Sequence, residues 1–104
     1  QEFWNITGPS GEGALVTFGR DYRDDPAAAD VVKRFRDQGF EPEAYTLYTY
    51  AAVQAWAAAA EKVKSTDADK VAAALRDGDY ATVIGPLAFD AKGDRKETDY
   101  IVYR

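Results

Sequence analysis

The stretch from about Glu43 to Lys64 constrains the architecture more than any other part of the chain. Tyr45, Tyr48, Thr49, Ala52, Val53, Trp56, Ala60 and Val63 recur there at helical spacing. Pro42 stands just ahead, where a proline forfeits only an N–H that has no helical partner anyway. The run Ala57–Ala60 favours helix and lets a neighbouring element come close. This is the longest predicted element, so the core has to form around it.

The flanking segments obey similar rules. Pro26 opens a shorter helix with Asp25 as its cap, Val31, Val32 and Phe35 as its apolar stripe, and Gly39 as a left-handed stop. Lys33, Arg34, Arg36 and Asp37 are placed on its wet side. Thr66 followed by Asp69 suggests a capping box for a third helix that buries Val71, Ala74 and Leu75 and stops at Gly78. Short strands are expected at Ala14–Phe18, Ala81–Ile84, Leu87–Phe89 and Tyr100–Tyr103, with turns at Gly85-Pro86 and over Ala91 to Asp94. Residues 1–13 are expected to form a loop closed by Gly8, Pro9, Gly11 and Gly13. The sum is an α/β chain of about three helices plus short strands, in a length that suits one small domain.

Composition then removes whole classes of chemistry. There is no His and no Cys, which excludes Ser-His-Asp and Cys-His mechanisms, thiolate metal sites and disulfides. The net charge of −5 argues against nucleic acid as a partner. The longest apolar run, Ala51 to Ala60, is interrupted by Gln54 and falls short of a membrane span. Asp90 and Asp94 around Lys92-Gly93 lack the ligand spacing of a calcium loop and are read as a hairpin turn. Gly8, Gly11 and Gly13 lack the strand–loop–helix setting of a phosphate cradle. Asn5-Ile6-Thr7 fits a glycosylation pattern and is given no weight. The acidic pairs Asp24–Asp25, Asp67–Asp69 and Asp77–Asp79 sit at helix ends, where capping and turn roles account for them. No nucleophile–base pair emerges, so the chain is read as a non-enzyme that needs no cofactor and no metal.

Three stretches carry a likeness beyond these generic signals. They are Glu12-Gly-Ala-Leu-Val-Thr-Phe-Gly19, Gly39-Phe-Glu-Pro-Glu-Ala-Tyr-Thr-Leu-Tyr-Thr-Tyr-Ala-Ala-Val53 and Gly85-Pro-Leu-Ala-Phe-Asp-Ala-Lys-Gly-Asp94. In order and spacing they resemble the C-terminal part of periplasmic solute-binding proteins of the branched-chain amino acid (Leu/Ile/Val) ABC transporter family, and the helix from Thr66 to Gly78 sits where that family has one. The chain opens on Gln1-Glu2-Phe3-Trp4 without an initiator Met and is read as a fragment of such a protein. The resemblance implies two α/β lobes closing like a clamshell on a small solute. Residues 1–17 and 95–104 would belong to the C-terminal lobe and hinge, and residues 18–94 to the N-terminal lobe. It implies a periplasmic protein that binds an amino acid, amide or aromatic acid, with an ABC permease and the rest of the parent chain, or a homodimer mate, as partners.

In the relatives an aromatic residue at the position of Tyr45 packs against the ligand side chain. An aromatic wall at a helix start suits an apolar ligand, and Tyr48, one turn on, can line the same cleft. The alternative for both is ordinary packing at the start of the helix, and Tyr50 and Trp56 are expected to be core residues. The polar groups that would hold an α-amino and α-carboxylate group lie upstream of this chain in that family. Two other readings remain: a ligand-sensing regulator built on the same clamshell, and a protein-interaction module that binds no small molecule.

Overall fold

A computed structural model describes residues 2–43 and 45–104. The α/β class holds, with four α-helices among the described residues in place of about three. The elements run α1 (Glu2–Thr7), a 3-10 turn at Gly8–Gly11, β1 (Val16–Gly19), a 3-10 turn at Pro26–Ala28, α2 (Ala29–Asp37), α3 (Thr46–Val63), α4 (Ala68–Asp77), β2 (Asp79–Thr82), β3 (Gly85–Ala88) and β4 (Tyr100–Tyr103). Among the described residues the strands form two antiparallel pairs, β1 with β4 and β2 with β3.

The long helix is present, but a different face of it is buried. Leu47, Ala51, Ala55 and Ala59 point inward, whereas Tyr45, Val53 and Trp56 are exposed. The helix is apolar nearly all the way round, so more than one stripe satisfies the helical period. Packing selects the stripe of small residues. A row of alanines every four residues lets α4 and the β2–β3 hairpin close on α3 without interposed bulk, and Val71, Ala74, Tyr80, Val83, Ile84 and Leu87 complete the core from that side. Trp56, expected in the core, is 47% exposed because it stands on the other face.

Helix ends explain most of the remaining boundaries. The Asp25 carboxylate accepts from the Ala27 amide at 3.0 Å, as expected of a cap, although the first turn it opens is 3-10. Val32 is buried beneath it, and Gly39 takes φ +76° after α2. The cap of α4 is Asp67, not Thr66: its Oδ1 accepts from the Lys70 amide at 3.1 Å, while Ser65 Oγ accepts from the Asp67 amide. The box was expected one residue early because Thr66-x-x-Asp69 and Asp67-x-x-Lys70 overlap, and the carboxylate is the one that reaches the orphan N–H.

Two further expectations are corrected. Residues 2–7 form α1 where a loop was expected; none of its side chains is buried, so it carries no apolar stripe to read. The β2–β3 turn is Val83-Ile84, not Gly85-Pro86, and Pro86 lies inside β3 opposite Ala81. Both turn residues are buried. Thr82 Oγ1 donates to the Gly85 carbonyl at 2.7 Å, and the Val83 amide donates to Gln54 Oε1 on α3 at 2.9 Å. Burial and these side-chain bonds replace the usual turn chemistry. The Asp90–Asp94 turn is found as expected, closed by a bridge between Phe89 and Arg95, with Asp90 Oδ1 accepting from the amides of Lys92, Gly93 and Asp94.

The core lies wholly within residues 22–87. No residue of α1, β1 or β4 belongs to it. The β1–β4 ribbon extends from the helical body with Val16, Tyr100, Ile101 and Val102 exposed. The radius of gyration is 16.7 Å, against about 13 Å for a compact domain of ~100 residues.

Candidate functional site

Tyr45 sits at the N-cap position of α3, and Tyr48 follows one turn later on the same side of the helix. Tyr45 is 68% exposed, and its ring meets the Phe18 ring of β1 edge-on, with centroids 5.0 Å apart. Tyr48 packs edge-on against Tyr22 at 5.8 Å. Both tyrosines line one open cavity of about 540 Å³, together with Phe18, Arg95, Thr98 and Tyr100. Its wall is aromatic and its floor polar.

The floor is organised by a carboxylate that the sequence did not single out. Asp99 Oδ2 accepts from the Tyr22 hydroxyl and lies 3.2 Å from the Tyr48 hydroxyl, while Oδ1 accepts from Arg95 at 2.9 Å. The Tyr48 hydroxyl is also 2.9 Å from the Arg20 carbonyl, so its single proton has two acceptors in reach. Burial would push the Asp99 carboxyl up, but the Tyr22 hydroxyl, the Arg95 charge and the Tyr48 hydroxyl together hold it below the ordinary carboxylate value. Burial and the neighbouring Asp99 charge push the Tyr48 phenol well above its usual range, so it remains a neutral donor. Burial raises the Tyr22 phenol in the same way, followed by its hydrogen bond to Asp99. Asp99 lies 77 positions from Tyr22 and 51 from Tyr48 along the chain, so no local spacing could have signalled the cluster. One indirect signal exists in Gly19: a Cβ there would overlap the Tyr48 hydroxyl and ring.

Beside this cluster a second charged group ties the segment after β1 to the end of α2 and the loop ahead of α3. Arg23 pairs with Asp21 at 2.6 Å and with Glu41 at 3.1 Å, and Arg36 pairs with Glu41 at 2.8 Å. Hydrogen bonding from Arg36, with Arg23 adding to it, draws the Glu41 carboxyl down to about 2. Tyr50, expected as packing, is half-buried against Phe35 at 6.2 Å. No group of three or more acidic side chains placed to hold a metal ion occurs among the described residues. The site offers an aromatic wall for an apolar group, and Arg95 and Asp99 at its floor are paired with each other.

A family model described as a periplasmic binding protein matches residues 1–104. The chain is 52% identical over 104 residues to Leu/Ile/Val-binding protein homolog 1 of Brucella suis biovar 1, covering 99% of this chain and 28% of that protein. It is 37% identical over 103 residues to the leucine-, isoleucine-, valine-, threonine-, and alanine-binding protein of Pseudomonas aeruginosa, covering 98% of this chain and again 28% of the relative. The crystal structure of a leucine-binding protein from Thermotoga maritima superposes with a TM-score of 0.78 at 26% identity, over 97% of this chain and 30% of that one. The chain therefore spans less than a third of the length of these relatives.

Proposed function

The chain belongs to the periplasmic binding protein family, and from that premise we propose that it forms part of an extracytoplasmic solute-binding component of an ABC importer. The solute is a branched-chain amino acid or a related small amino acid, amide or aromatic acid. The observation that carries this reading is the aromatic corner of Phe18 and Tyr45, with Tyr48 beside it, on an open cavity at the start of α3. Such a corner offers dispersion contacts and an apolar surface to an aliphatic or aromatic side chain and does no covalent chemistry. The names of the relatives, a Leu/Ile/Val-binding protein homolog and a leucine-, isoleucine-, valine-, threonine-, and alanine-binding protein, point to the same ligand class.

In this reading Tyr45 is the ligand-facing wall. Tyr48 contributes ring surface, because its hydroxyl is taken up by Arg20 and Asp99. Residues 18–94 belong to one lobe, and residues 1–17 and 95–104 to the other lobe and the hinge. The register of β1 against β4, Val16 with Tyr103 through Gly19 with Tyr100, supports that division by bringing the two crossing segments side by side. Closure around a solute would present the loaded protein to a membrane permease. The groups that grip the α-amino and α-carboxylate ends are assigned to the remaining part of a longer protein.

The test is a thermal-shift and calorimetric screen of the full-length product of the gene that encodes this chain, against leucine, isoleucine, valine, small amides and aromatic acids. A ligand at a hundred times its dissociation constant stabilises by about 2.7 kcal/mol. A saturating shift with one of these classes, lost on Tyr45→Ala, is the expected result. A folded protein that responds to none of them would overturn the reading.

A further inference from the structure

The ribbon of β1 and β4 has almost nothing but polar bonds and one ring contact to hold it at a fixed angle. None of its side chains enters the core, and all four residues of β4 are exposed. Its two strands join the helical body at Gly19–Arg20 and at Asp99–Tyr100, where the ladder gains one more bond from the Arg20 amide to the Asp99 carbonyl at 3.0 Å. The Asp99 side chain is fastened there to three groups. Tyr22 comes from the segment after β1, Tyr48 from α3 and Arg95 from the segment before β4. Tyr48 also reaches the Arg20 carbonyl, so α3 holds both strands at the point where they leave the body. Beyond this cluster, Phe18 of β1 rests edge-on against Tyr45.

We propose that Asp99 is a positioning residue: it clamps both strands of the ribbon to α3 and thereby seats Phe18 against Tyr45, fixing the geometry of the ligand-facing wall. This rests on the solute-binding reading for its consequence, though the clamp itself does not. Residues at element ends absorb the backbone changes of hinge motions, and Arg20 and Asp99 occupy such ends. A side chain that ties the two ends to a rigid helix sets which ribbon angles are accessible without touching the solute. Removing it enlarges the set of angles, and a ligand that needs one of them binds more weakly by the fraction of the population lost.

The experiment uses the full-length gene product, with Asp99→Asn and Tyr48→Phe as test variants. Tyr80→Phe, which removes a core hydroxyl bonded to the Ala74 carbonyl at 2.6 Å, is the structural control. The first readout is amide hydrogen exchange of the ligand-free protein. In Asp99→Asn the β1 and β4 amides exchange about tenfold faster or more while α3 and α4 are unaffected, and in Tyr80→Phe the acceleration falls on α4 and β2 instead. The second readout is titration with leucine, where Asp99→Asn weakens binding about 5- to 30-fold and the melting temperature stays near that of the parent. Unchanged exchange in β1 and β4 overturns the clamp. Faster exchange with an unchanged dissociation constant overturns its coupling to the wall. If the parent protein binds no solute of the panel, the solute-binding reading falls while the exchange readout still decides the clamp.

Discussion

The helical body and the ribbon are held together by different physics. In the body, α2, α3, α4 and the β2–β3 hairpin share a buried cluster to which α3 contributes Ala51, Ala55 and Ala59, α4 contributes Val71 and Ala74, and the hairpin contributes Leu87. Stability there comes from apolar burial and close packing. In the ribbon, Val16, Tyr100, Ile101 and Val102 are exposed, and the angle to the body depends on Asp99, Tyr22, Tyr48 and Arg95. Burial is non-directional and tolerates small movements, whereas a few hydrogen bonds fix an orientation or release it. The difference places close packing behind the Tyr45–Phe18 contact and a hydrogen-bonded joint at its edge.

The largest expected contrast comes from truncation in the two regions. Leu47→Ala removes a buried side chain of α3 and should cost about 2–5 kcal/mol in urea unfolding, with the slope unchanged. Val102→Ala, on an exposed β4 position, should stay within about 0.5 kcal/mol in the same assay on this chain. A cost for Val102→Ala comparable to that for Leu47→Ala would erase the distinction between the regions. Next comes Gly19→Ala, which sets a methyl against the Tyr48 hydroxyl. It should cost about 1–3 kcal/mol and accelerate exchange in β1 and β4 ahead of α4.

A smaller effect is expected for Asp67→Ala, which removes the α4 cap. About 1 kcal/mol should be lost, read as a lower melting temperature with the ribbon amides undisturbed. The mildest effect is the response to acid. Asp99 and Glu41 both have carboxyl pKa values below their unfolded values, Glu41 at about 2. Their contribution is complete above the ordinary carboxylate pKa of about 4 and is lost as pH falls through the lower folded values. Stability should therefore be flat from about pH 7 to pH 5 and decline between about pH 4 and pH 2. Asp99→Asn combined with Glu41→Gln should flatten that decline, as a pH series of urea midpoints would register.

Local chemistry made α2, the length of α3, the place of α4 and the Asp90–Asp94 turn legible in the sequence. Proline at a helix start, a capping carboxylate and glycine at a stop act within a few residues, and so they can be read from a few residues. The buried face of α3 was not legible, because Trp56 and Val53 satisfy the same period as Leu47 and Ala55, and the choice between them belongs to α4 and the hairpin. The Val83-Ile84 turn was hidden for the same reason, since its stability is lent by Gln54 from 29 residues away. At the candidate site, Tyr45 and Tyr48 were named from the start of a helix and from a resemblance, and they do share a cavity. Asp99 was missed because its meaning exists only after three distant segments have met.

Gln54 carries one more implication. A helix presenting alanine at every fourth position offers its neighbours nearly equivalent seats one turn apart, since sliding by four residues replaces one methyl with another. Apolar contact alone would index such a helix poorly. The carboxamide of Gln54, bound to the Val83 amide at the tip of the hairpin, breaks that degeneracy like a key in a slot. It selects the axial setting of α3, and with it the height at which Tyr45 meets Phe18.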